Sequence, residues 1–320
     1  MLSRRQLRVK VLQALYAFFQ SDSDRMDFGE KQLFKSIDKI YELCFWQLSI
    51  LIELVDFSRE RLDAAKQKHF PTAKDLNPDT RFVENKFITQ LSENRIFQKK
   101  SDQYKISWAD HKEMIRKLYQ KLLESKSYEE FMDREDKPSY EEDKEFIIQL
   151  VKKIIAKSDS LKHFYEDMSI YWSDDYHSVT SLVIKMINSF KETSDEFHVL
   201  PVIYKTVEDK DNEDVAFVKN LYRKTIINSE KNETLIAEKT VNWDYDRIAI
   251  MDVIILKMAL TELTEFKSVP VKVTLNEYIE LSKYYSTPKS NVFVNGILDK
   301  LIADLSESRE IKKSGRGLMK

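Results

Sequence analysis

Glycine is nearly missing from this chain. Of 320 residues only Gly29, Gly296, Gly315 and Gly317 are glycine, so no position between 30 and 295 can supply a glycine turn. Phosphate-cradling loops need several glycines close together, because the backbone must turn tightly and approach the ligand. Nucleotide-binding α/β folds are therefore disfavoured, and hairpin-rich β architectures lose their usual turn residues. Cysteine is scarcer still. The single Cys44 excludes an intramolecular disulfide and a cysteine-clustered zinc site, and its apolar neighbours mark it as a buried, inert thiol.

Long hydrophobic runs are also lacking. The most apolar stretch, Leu43 to Val55, is too short to span a bilayer and carries Glu53. The N-terminal residues show neither an apolar signal-peptide core nor a small-residue cleavage site, so a cytoplasmic protein is expected. Five histidines, at 69, 111, 163, 177 and 198, include no HExxH or paired helical spacing. Asp174-Asp175 with His177 is only a weak metal pattern, and no catalytic residue, metal or cofactor is assigned. Charge of one sign is absent too: 52 Lys+Arg stand against 54 Asp+Glu, so any signal for a nucleic-acid partner must be local.

What is present is helical periodicity, with enough hydrophobic residues to build a core; the fold class read from it is all-α. Ser3 and Gln6 have capping-box spacing, and Leu7, Val11, Ala14, Leu15 and Phe18 make an apolar stripe for a helix ending near Gln20. A polar loop is expected over Ser21 to Gly29, then a long buried helix from Leu33 to Arg61. Pro71, Pro78 and Pro138 punctuate the middle. Helices are predicted there over Thr80–Glu93 and Ala109–Met132, then, after a charged linker from Asp133 to Glu142, over Glu145–Lys157, Leu161–Trp172 and Ser178–Lys191. His198 to Val207, short, β-branched and proline-bearing, is expected to be extended. Helices follow at Glu213–Asn228, Asp246–Phe266, Leu275–Tyr285 and Lys289–Asp304. At an offset of 71, Glu142/Glu213, Phe146/Phe217, Leu150/Leu221, Trp172/Trp243 and Asp175/Asp246 coincide, which fits a degenerate internal duplication but which shared helical periodicity alone also produces.

Two local features point to an anionic partner. Arg4, Arg5 and Arg8 lie within an arc of roughly 100° on the first helix, beside its apolar stripe. Lys10 adds charge, and no acidic residue occurs among the first twenty. Guanidinium groups pair bidentately with phosphate and work alongside the free N–H groups of a helix start, although a solvated helix face fits the same pattern. Near the other end, Thr274 and Glu277 have capping-box spacing. Thr287-Pro288 then opens a helix at which Lys289, Ser290 and Asn291 present donors. Gly296 within that helix implies close approach of another helix or a ligand, since a mid-helix glycine costs about 1 kcal/mol relative to alanine. Phe293 is either ordinary core or a face on which an unpaired base stacks.

Three consecutive blocks carry a resemblance: ILKMALTEL over 255–263, VPVKVTLNEYIELSKYY over 269–285 and SNVFVNGILDK over 290–300. In that order, and with Arg4-Arg5-Gln6-Leu7-Arg8 and Leu12-Gln13-Ala14-Leu15-Tyr16 near the start, they resemble the bacterial NusB transcription antitermination family. The resemblance implies a helical bundle of two subdomains that binds the boxA element of nascent ribosomal RNA with NusE, a small-subunit ribosomal protein, in the RNA polymerase antitermination complex. By position it implies RNA contacts at Arg4, Arg5, Arg8, Lys257, Lys289, Ser290 and Phe293, and NusE contacts at Tyr16 and Asp252. Gln6 and Lys257 depart from the family's arginines, and a lysine lacks the planar fork of a guanidinium.

The implied organisation is residues 1–20 as the arginine-bearing helix, 21–212 as a large helical insertion of unknown role, 213–305 as the C-terminal NusB-like domain, and 306–320 as a flexible basic tail with Lys312, Lys313, Arg316 and Lys320. No enzyme and no membrane association is expected; monomer and homodimer stay open. The alternative function is a helical protein-interaction module that has kept this fold and lost RNA binding.

Overall fold

The computed structural model describes residues 1–21, 25–134, 136–203, 213–240 and 248–318. Among these no strand occurs, and the α-helices are α1 (Arg4–Gln20), α2 (Met26–Lys66), α3 (Ala73–Leu76), α4 (Lys86–Glu93), α5 (Arg95–Tyr104), α6 (Lys112–Leu123), α7 (Lys126–Met132), α8 (Tyr140–Leu150), α9 (Asp159–Met168), α10 (Tyr176–Ser189), α11 (Glu213–Ile227), α12 (Ser229–Lys239), α13 (Ile250–Glu265), α14 (Val271–Tyr285) and α15 (Ser290–Glu307). The all-α expectation holds. No helix of the described residues is long and apolar enough to cross a membrane, and no group of His, Cys, Asp and Glu among them could hold a metal ion.

The chain divides into two compact units: Asp38–Ile203, and a terminal unit of Leu2–Ile37 with the described residues from 213 onward. In the 38–203 unit the middle of α2 is buried all round over 43–51, with Leu43, Cys44, Phe45, Trp46, Ile50 and Leu51, as a central core helix must be, before its last turns become exposed. Aromatic rings close around it. Trp46 meets Trp108 edge-on at 5.1 Å, and the Trp172 indole donates to the Lys39 carbonyl at 2.7 Å. Burial pushes the Cys44 thiol up, which leaves it inert.

Short polar caps explain most departures from the predicted helices here. Asn85 starts α4 at Lys86, later than Thr80, by accepting from the Ile88 N–H. Asn94 starts α5, which was not predicted; its short apolar face, Phe97 and Tyr104, packs on Phe45. The stretch from Ala109 to Met132 is broken at Ser125, which caps α7. Ser139 and Glu142 form a capping box, so α8 begins inside the expected charged linker and runs into a single π-helical turn, Val151–Ile155. At the offset of 71, α8, α9 and α10 fall in step with α11, α12 and α13; Trp243 and Asp246 lie outside the described residues. Residues 198–203 form no regular element, and the rest of the expected extended segment lies outside the described residues.

In the terminal unit α13 is the hub. It is buried almost all round and packs against α1, α11, α12, α14 and α15. α2 already begins at Met26, inside the expected polar loop. Residues 26–37, placed with the insertion on sequence grounds, belong to this unit, with Arg223 of α11 pairing with Asp27 and Glu30. Gly29 lets that crossing close, because a Cβ there would fall on the Tyr222 hydroxyl. The polar helix α12, also unpredicted, buries only Asn232 and Ile236. Nor is the end of the chain free of contacts. Lys313 donates to the carbonyls of Glu262 and Phe266 at the C-terminal end of α13, and the Ser314 N–H donates to the Lys267 carbonyl. The Arg316 side chain and Lys320 lie outside the described residues.

Candidate nucleic-acid interface

The arginines of α1 emerge from a well-specified start. Ser3 and Gln6 form the reciprocal capping box, so Gln6 sets the helix start where a third arginine would have added charge. Leu7, Val11, Leu12 and Leu15 bury the inner face. Arg8 goes inward with them. It is 3% exposed and donates twice to Glu262, at 2.8 and 2.7 Å; that carboxylate, fully buried, also accepts from Thr274 at 2.9 Å and Tyr278 at 3.1 Å. Burial alone would lower the Arg8 guanidinium, but the hydrogen bonds and charge of Glu262 outweigh it and hold it above its ordinary value. Arg8, expected on the basic edge of α1, is thus buried and joins α1 to α13 and α14 through an ion pair.

Arg4 and Arg5 keep exposed surface, and both hold carboxylates. Arg4 lies 3.2 Å from Asp214 and 3.5 Å from Glu213 at the start of α11, with its guanidinium 4.4 Å from the centre of the Phe217 ring. Burial lowers the Arg4 guanidinium below its ordinary value, while Asp214 and Glu213 pull the other way. Arg5 donates twice to Glu277, and that hydrogen-bonded pair raises it. Beside them runs a groove of 890 Å³ lined by Arg4, Arg5, Phe217, Pro270, Val273 and Glu277. Its walls can take an apolar or aromatic face, and its rim offers guanidinium edges.

Glu277 shows why a local motif misled. α14 begins at Val271 with Pro270 as its cap residue, so Thr274 lies inside the helix and donates to Glu262. Glu277 is left for Arg5, with Arg8 at 3.6 Å. Lys257, another expected RNA contact, is also buried. It is 6% exposed, donates to Glu233 at 2.6 Å and Ser229 at 2.9 Å, lies 5.1 Å from the Phe19 ring, and so ties α13 to α12.

At the start of α15 the expected donors divide. Ser290 is buried and donates to Asp252 at 2.7 Å, inside a hydroxyl cluster with Ser286 and Thr287. Asp252, expected to face NusE, is buried as well, and its second carboxylate oxygen finds no donor. Lys289 stays exposed and Phe293 half-buried. Gly296 is exposed with nothing within 4 Å of an added Cβ, so no neighbouring helix explains it. Lys289, Val292, Phe293 and Gly296 share one helix face by their three- and four-residue spacing. Tyr16 is 40% exposed on α1. Sequence reasoning missed the carboxylates Glu213, Asp214, Glu233 and Glu262, whose only signal was acidity at helix positions.

The NusB family model matches residues 177–303, a span that begins in α10 and ends in α15. The chain is 37% identical to the transcription antitermination protein NusB of Salinibacter ruber over 138 residues, 43% of this chain and 86% of the relative. It is 40% identical to NusB of Chloroherpeton thalassium over 103 residues, 32% of this chain and 49% of that protein. It is 30% identical to NusB of Natranaerobius thermophilus over 115 residues, 36% and 83%. These relatives are named as antitermination proteins and not as enzymes. No solved structure matches. The family match over residues 177–303, a 37% identical relative matched over 86% of its length, and an all-helical terminal unit that bears the family's sequence blocks identify the chain as a long-form member of the NusB family.

Proposed function

We propose that this protein is a non-catalytic, cytoplasmic transcription antitermination factor that binds boxA-type single-stranded RNA of nascent ribosomal RNA together with NusE, within the RNA polymerase antitermination complex. The observation that carries the reading is the open face of α15. There an exposed lysine, Lys289, precedes a half-buried aromatic, Phe293, by one turn, and Gly296 leaves the next turn bare. An unpaired base needs an aromatic face it can reach and a cation for its phosphate. Arg4 and Arg5, on the rim of the α1 groove, supply further phosphate contacts.

Arg8, Lys257 and Ser290 then act from behind, Arg8 by holding α1 and Ser290 by holding the start of α15 through Asp252. NusE meets the Tyr16 side of α1, where a tyrosine offers an apolar body and a polar tip. The residues of the 38–203 unit take no part in this reading. Binding of a boxA-type RNA, measured with and without NusE at low salt, tests it. Binding that weakens steeply with salt is expected. Absence of binding in both conditions sinks the reading and favours the protein-interaction module, to which the burial of Arg8 and Lys257 lends its weight.

A further inference from the structure

Arg4 is a groove cation with surface to offer, and the structure has already given it anions. Its Nε lies 3.2 Å from Asp214 and its Nη2 3.5 Å from Glu213, while Phe217 covers the guanidinium face at 4.4 Å. A carboxylate on a guanidinium edge uses the geometry a phosphate would use. The two groove carboxylate sets differ in kind. Glu277 is largely buried and braces both Arg5 and Arg8. Glu213 and Asp214 stand instead in the first turn of α11, where Asp214 is as buried as Glu277 but Glu213, which lines the groove, is 65% exposed. A phosphate arriving at Arg4 must displace Asp214 or sit beside it, and in either case it approaches an exposed Glu213 of its own sign.

We propose that Glu213 and Asp214 are built-in competitors of RNA phosphate at Arg4, so that the acidic start of α11 gates the α1 edge of the RNA site. The proposal rests on the RNA reading above and adds regulation of that same surface. These carboxylates also suit the N-terminus of α11 through its dipole, and a purely structural role would be complete with that. The two roles separate because only a competitor acts through Arg4.

The test is RNA affinity of the full chain, with a short boxA-type single-stranded RNA, for wild type and for E213Q/D214N. The double variant is expected to bind about fivefold more tightly, the combined worth of two part-exposed ion pairs, with the gain shrinking as salt rises. Adding Arg4→Ala to the double variant should erase the gain. Wild-type binding with no gain in a folded E213Q/D214N, or a gain that survives Arg4→Ala, overturns the gate and leaves the RNA reading standing. Binding by neither protein at low salt overturns both. If the double variant does not fold, Glu213→Gln alone, at a well-exposed position, is expected to gain about twofold, and unchanged affinity there overturns the gate.

Discussion

The two units use charge differently. In the 38–203 unit the ion pairs are mostly between neighbours on one helix, such as Lys39–Glu42, Arg59–Asp56, Arg116–Glu113 and Lys162–Glu166, and rings fill the interior. In the terminal unit the pairs mostly join different helices: Arg8–Glu262, Arg5–Glu277 and Arg223–Glu30 over long stretches of sequence, and Lys257–Glu233 between α13 and α12. A near-neighbour pair on a solvated helix contributes a few tenths of a kcal/mol, whereas a buried pair costs several kcal/mol to break, because the remaining charge is left stranded. Cations that look like a ligand surface on a helical wheel can therefore be the framework beneath it.

The sharpest way to break this contrast is Arg8→Ala. Stranding Glu262 is expected to destabilise the terminal unit by about 3–5 kcal/mol in denaturant unfolding. A variant of normal stability with weakened RNA binding would return Arg8 to the surface role expected from the sequence. In the other unit the comparable buried charge is Asp143, which accepts from the Lys86 N–H and has a second oxygen without a partner. Burial pushes its carboxyl up to about 6. Because the folded state holds this proton more tightly than the unfolded state, stability should rise as pH falls from 7 through 6 toward 4, by on the order of 3 kcal/mol. Asp143→Asn should flatten that part of the pH profile; an unchanged profile would mean that Asp143 is not the source.

Packing at the helix crossing in the terminal unit gives the next effect. Gly29→Ala drives a methyl into the Tyr222 hydroxyl and is expected to cost about 1–3 kcal/mol. Tyr222→Phe in the same chain should recover most of it, since that hydroxyl is buried without a partner. Failure of the rescue would place the strain elsewhere. The smallest effect on stability should come from the exposed face of α15. Phe293→Ala, at a half-buried position, is expected to cost only about 1 kcal/mol of stability while weakening boxA-type RNA binding roughly tenfold, the usual loss of one stacking platform. A large fall in stability with unchanged affinity would make Phe293 ordinary core.

Much of the fold was legible because it is written locally. The Ser3/Gln6 box starts α1 where its spacing says, and an apolar run with no glycine or proline sustains α2. The helices given no range of their own, α3, α5 and α12, are short or polar, with few apolar residues to reveal them. The Thr274/Glu277 spacing matched a cap and formed none, because Pro270 had already opened α14. For the candidate site, residue types were legible and their exposure was not. Arg4, Arg5, Lys289 and Phe293 keep surface, whereas Arg8, Lys257, Ser290 and Asp252 are buried by partners as much as 254 residues away.

By itself the sequence determined the class of the molecule: scarce glycine disfavoured phosphate-cradling loops, one cysteine excluded disulfides, and helical periodicity with side-chain caps did the rest. Only the tertiary structure decided which arginine is a surface and which is a brace. Periodicity places a side chain on a helix face, but what that face meets depends on α11, α13 and α14, and a guanidinium is buried only where a distant carboxylate compensates its lost water.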